Sequence, residues 1–135
     1  MELTTEVRDD YLYVRVTGSY TLDAARDACR RWSQTPESRA HRCVLCDVTA
    51  LARFDMTDVP VMQRFDLGRA LVERLSPDIR LAILETTAQF DPERFGETVM
   101  TNRGVMVHIT TSLDEALRWL ATWRTPQPAS VTEPV

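Results

Sequence analysis

A chain of 135 residues, 44% hydrophobic and 27% charged, has the size and balance of one domain that closes a core without a disulfide or metal. Its net charge of −4 and its short basic clusters, Arg30-Arg31 and Arg39 with Arg42, give no phosphate-neutralising stripe, which argues against a nucleic-acid partner. No apolar run approaches the ~20 residues of a bilayer span, the N-terminus lacks the pattern of a signal peptide, and three cysteines fit reduced thiols, so no membrane span and a cytoplasmic location are expected.

The first elements read as a hairpin. Leu3, Thr5 and Val7 alternate with polar residues, and Leu12, Val14 and Val16 do the same, with Tyr11, Tyr13 and Arg15 on the opposite face. Asp9-Asp10 forms the turn, because Asp tolerates left-handed backbone. Gly18 closes the second strand. Leu22, Ala25, Cys29 and Trp32 then share a helical face behind a Thr21 cap. Pro36 and Ser38 mark a loop, and Cys43-Val44-Leu45-Cys46 reads as a buried parallel strand ending at Asp47.

Asp58 is the expected cap of the next helix, with Pro60 near its first turn and Val61, Phe65, Gly68, Val72 and Leu75 as its apolar stripe. Ser76-Pro77-Asp78 ends it, and Ile79 to Leu84 is a strand. Asp91-Pro92-Glu93 starts a helix carrying Phe95 and Val99, which ends near Gly104. Val105 to Ile109 is the last strand. Ser112 to Glu115 reads as a capping box, with the Glu115 side chain reaching back. The closing helix buries Leu113, Ala116, Leu117, Leu120 and Trp123. Trp119 and Trp123 share a face that covers the sheet or, in part, marks a contact surface. Three prolines in 125–135 give a disordered tail, leaving 1–124 as the single domain. The order β-β-α-β-α-β-α-β-α predicts an α/β fold: a mostly parallel five-stranded sheet with an antiparallel edge strand.

Catalytic motifs are absent from this sequence. Cys43 and Cys46 stand three apart on a strand and point to opposite faces, so they suit neither a redox pair nor a zinc site, which would need two more ligands. His41 lies at the wrong end of that strand. His108, on an apolar strand, reads as a satisfied core or rim residue. The four glycines are isolated, so no phosphate-cradling loop exists, and no cofactor or metal is expected. What remains is positional. Ligands of open α/β sheets bind outside the carboxyl ends of the strands. That edge offers Asp47, Thr49, Phe54, Thr57, Glu85, Phe90 and His108 as candidate ligand- or partner-binding residues. The same acids and threonines also suit helix caps, and the phenylalanines suit loop anchors.

The hairpin ending in Val16-Thr17-Gly18, the Val44-Leu45-Cys46-Asp47 strand and the Asp114-Glu115-Ala116-Leu117-Arg118-Trp119-Leu120 helix together resemble the SpoIIAA-like group. That group is related to STAS domains, the anti-sigma-factor antagonists, and to the CRAL-TRIO lipid-binding fold. The resemblance implies a bacterial, non-enzymatic module that binds a protein partner or a second copy of itself. It also implies, in some members, a serine switched by phosphorylation after the third strand. Here Asp47 is followed by Val48-Thr49-Ala50-Leu51, without that serine, and Thr49 and Thr57 are the nearby hydroxyls. Two functions stay open: a regulatory protein-interaction module, possible as a homodimer, or a carrier of a small apolar ligand or lipid.

Overall fold

The computed structural model describes residues 1–124, and the predicted tail over 125–135 lies outside the described residues. The hairpin forms as expected. β1 (Glu2–Arg8) pairs antiparallel with β2 (Tyr11–Ser19), Arg8 opposite Tyr11, and Asp9 takes φ 48 in the two-residue turn. β3 (Cys43–Asp47), β5 (Arg80–Leu84) and β6 (Met106–Thr110) join β2 in parallel, in the order β1-β2-β3-β5-β6. The fold is therefore the expected α/β type with one antiparallel edge strand. The sheet gains one strand: β4 (Leu51–Ala52) is two residues that pair with Gly18 and Ser19, too short to show a period in sequence.

The helices divide between the two faces of the sheet. α1 (Leu22–Ser33), α3 (Val61–Val72) and α4 (Phe95–Asn102) cover one face, and α5 (Leu113–Arg124) covers the other. Leu12, Val14, Val44, Leu81 and Val107 point to the first face, where they meet Cys29, Trp32 and Met100. Tyr11, Tyr13, Cys43, Leu45 and Ala82 point to the second, against Ala116 and Leu120. Cys43 and Cys46 thus lie on opposite sides of the sheet, as strand alternation requires.

Several helix starts differ from the expectation. Thr21 caps α1 by accepting from the Ala24 N–H at 3.1 Å, as predicted. The segment expected as a loop contains α2 (Pro36–Ala40), because Thr35 accepts from the Ser38 N–H and Pro36 fits the first turn. Asp58 does not cap α3. Its carboxylate accepts from the Asp55 N–H inside the preceding loop, and Pro60 stands at the cap position. α4 begins at Phe95, later than expected, with Asp91 accepting from the N–H groups of Glu93 and Phe95, both at 2.9 Å. Gly104, at φ +92, ends it in the left-handed conformation that a side chain resists. Ser112 accepts from the Glu115 N–H, but the Glu115 carboxylate does not reach back; it bonds His108.

Candidate functional site

The carboxyl edge of the sheet is held together by loops, and Gln89 is their staple. It is 1% exposed. Its Nε2 donates to the carbonyls of Val48 and Leu51 at 2.9 and 3.1 Å, and its Oε1 accepts from the Thr86 N–H at 2.9 Å. One side chain therefore ties the loop after β3 to the loop after β5. Two arginine–phenylalanine stacks finish the rim. Arg64 of α3 lies 5.0 Å over Phe54, and Arg94 lies 5.0 Å over Phe90. Arg94 also donates to Glu97 and to the Ile109 carbonyl, which ties α4 to β6.

Beneath this rim, between the sheet and α1, α3 and α4, is a cavity of about 120 Å3. Its floor is a row of strand partners, Cys46, Ile83 and Ile109, in register with one another. Its walls are mostly apolar and include Tyr20, Trp32, Phe54 and Phe90. Three buried polar side chains also line it: Arg64, Glu85 and Asp91. Arg64 is anchored by donating to the carbonyls of Val59 and Phe54. Glu85 is 5% exposed, and among the described residues its carboxyl has no hydrogen-bond or ion-pair partner. Burial pushes its pKa up to about 7, against the pull of the Arg64 guanidinium. Burial likewise pushes the thiols of Cys29 and Cys46, both lining the cavity, up to about 12, which leaves them as inert apolar groups near neutral pH.

The candidate residues named from the sequence do not form one site. Phe54, Glu85 and Phe90 meet at this cavity. Asp47 faces the other side, where it accepts from the Tyr13 hydroxyl at 2.6 Å and lies 3.6 Å from Arg15. Burial acts to raise its pKa, but the hydrogen bonds from Thr49 and Tyr13 outweigh it and leave it lowered. Thr49 is tied to Asp47 by its hydroxyl at 2.7 Å and by its N–H. His108 is on that same second face, 2.7 Å from Glu115 and stacked on Trp119 at 5.5 Å. Thr57 is exposed in the loop before α3 and does not line the cavity. A single rim from Asp47 through Glu85 to His108 is thus replaced by two separate clusters, one on each face. Of the two tryptophans expected to cover the sheet, Trp119 does so; Trp123 is 41% exposed, packs edge-on against Trp119 and carries Arg80 over its ring.

Sequence reasoning missed Tyr20, Arg64 and Gln89. Arg64 left a trace: it interrupts the apolar positions of its helix between Val61 and Gly68, and an arginine there must either leave the core or find carbonyls. Gln89 left none, since its role depends on two loops distant in the chain.

No protein-family model matches the chain, and no curated protein matches it in sequence. A search of solved structures finds a crystal structure of an anti-sigma factor antagonist from Mycobacterium paratuberculosis. The two superpose with a TM-score of 0.56 over 89% of this chain and 93% of the other, at 14% identity. The fold is SpoIIAA-like. Among the described residues no helix is long and apolar enough to cross a membrane.

Proposed function

We propose that this chain is a non-catalytic regulatory module that binds a protein partner through the start of α3. The reading is carried by its structural likeness to an anti-sigma factor antagonist over nearly the whole of both chains. The partner proposed is accordingly a protein of the anti-sigma-factor class. The surface follows from exposure. Val61 and Met62, the first two residues of α3, are 51% and 68% exposed, while the arginine two positions on is buried. Neighbouring exposed apolar side chains at a helix start are suited to docking. Thr57 stands exposed in the loop before them, whereas the Thr49 hydroxyl is committed to Asp47. Thr57 is therefore the better placed of the two for a phosphate that would oppose docking. The carrier reading is not favoured, because a cavity of about 120 Å3 falls short of the roughly 300 Å3 expected of a site for an extended ligand.

The test compares the purified protein with Met62→Lys in quantitative affinity capture from its source cells, with light scattering alongside. A protein of the expected class retained by wild type and lost with Met62→Lys, at unchanged melting temperature, supports the reading. Equal retention by both would remove α3 as the docking surface. A dimer dissolved by Met62→Lys would assign the surface to a second copy of the chain.

A further inference from the structure

A second cavity, polar where the first is apolar, lies at the opposite edge of the sheet, before the amino ends of β3 and β5. Its volume is about 320 Å3, at the lower end of the range for small-molecule sites. α2, the residues leading into β3 and the turn between α3 and β5 enclose it. Three arginines line it: Arg39, Arg42 and Arg74. In the sequence Arg39 and Arg42 are only a short basic pair, and the fold adds Arg74 from just beyond α3. Asp78 is the one carboxylate on the lining, and it is taken up by Arg42 at 3.5 Å and by the Ser76 hydroxyl. Three arginines against one aspartate leave a local excess of positive charge on a chain whose net charge is −4. Among the described residues the Arg39 guanidinium has no hydrogen-bond or ion-pair partner, and that of Arg74 meets only its neighbour Glu73, at 3.9 Å.

Ser38 supplies a buried group to the same space. It is 7% exposed, its N–H donates to Thr35 and its carbonyl accepts from the His41 N–H, but its hydroxyl has no partner among the described residues. The unpaired side-chain atoms that are fully enclosed are the Tyr20 hydroxyl and Arg80 Nε; the Ser38 hydroxyl is not one of them, so it opens onto the cavity that Ser38 lines. His41 is held on the lining by Nδ1, which donates to the Glu37 carbonyl at 2.9 Å, and its Nε2 has no partner in the protein.

We infer that this cavity is a binding site for a small phosphate monoester. A phosphate monoester carries nearly two negative charges at neutral pH and three terminal acceptor oxygens. Guanidinium forks bond such oxygens two at a time, and a serine hydroxyl can donate to a third. A carboxylate has one charge and two oxygens, and would leave part of this donor set unused. The volume admits a phosphate with a compact polar remainder, and the polar lining does not suit a lipid chain. The inference rests on the amino edge of the sheet and is independent of the docking surface proposed at the other end of α3.

The experiment titrates the protein with glycerol 3-phosphate and follows backbone amide shifts by NMR, with glycerate as the matched carboxylate. Saturable binding of glycerol 3-phosphate is expected, with shifts concentrated in residues 38–42 and 74–79 and glycerate at least about ten-fold weaker. Arg39→Gln and Arg74→Gln should each weaken glycerol 3-phosphate about ten-fold, and Ser38→Ala a few-fold, at unchanged melting temperature. Arg118→Gln removes an exposed arginine on α5, across the sheet, and should leave the affinity as it is. Absence of saturable binding would overturn the inference. So would equal affinity for glycerate, or a loss with Arg118→Gln as large as with Arg39→Gln and Arg74→Gln, which would reduce the effect to overall charge.

Discussion

Glu85 shows how a residue can be legible in the sequence and still be misplaced. It follows β5 at the carboxyl edge, as the strand pattern indicates, yet its consequence is set by burial. A carboxyl without a partner holds its proton more tightly in the folded state than in the unfolded one, so its pKa rises to about 7 from 4.5. The groups around it act in opposite senses: Arg64 pulls the value down and Asp91 pushes it up. The sign of the stability effect follows. The folded state binds more protons between the two pKa values, so the protein loses stability as pH rises through that window and levels off above it. Glu85→Gln removes the dependence. We expect the variant to gain on wild type from about pH 5 to pH 8, by up to roughly 3 kcal/mol, in urea titrations at a series of pH values. Parallel stability profiles for the two proteins would show that Glu85 is ionised at little cost in the fold.

At the scale of elements, what was readable depended on how local the governing physics is. The Thr21 cap, the Asp9-Asp10 turn and the Gly104 helix end are set by neighbours in sequence, and all three form. α3 behaves differently. Its stripe from Val61 to Leu75 predicts one buried face, but Val61 is exposed and Arg64 is buried. The helix lies across α1 and α4 as a roof, so its buried side is set by what those helices leave open. Gly68 marks its closest approach to α4: a Cβ there would come 3.2 Å from Val99 Cγ1. This position opposes two effects of similar size, since alanine favours a helix over glycine by about 1 kcal/mol and the contact with Val99 takes that gain back. Gly68→Ala alone should therefore change stability little. In a Val99→Ala background, where the space opens, it should stabilise by up to about 1 kcal/mol. Strict additivity in the double-mutant cycle would show that the two helices do not press on each other here.

For the whole molecule, the mostly parallel sheet, its antiparallel edge strand and the alternation of faces along each strand were readable, while the register that sends the acids at the strand ends to one face or the other was not. Asp47 ends β3 opposite Leu84, so Glu85 lies one residue beyond it and points to the other side. That half-step separates two acids that look equivalent in sequence, and it follows only from the register between strands. The two faces have separate cores, with Trp32 in one and Trp119 packed against the other. They share every central strand, however, so neither core can open without removing the floor of the other. A domain of this size with a shared sheet should unfold in one step. Two tryptophan variants can test this. Trp119→Phe with Trp123→Phe leaves Trp32 to report on the α1 face, and Trp32→Phe leaves the α5 face to report alone. Within each variant, tryptophan fluorescence and far-ultraviolet circular dichroism should give coincident urea transitions. If the α5-face probe melts at lower urea than the circular dichroism of the same variant, the closing helix is a separate unit, and the sheet is held chiefly by the layer that encloses the cavity.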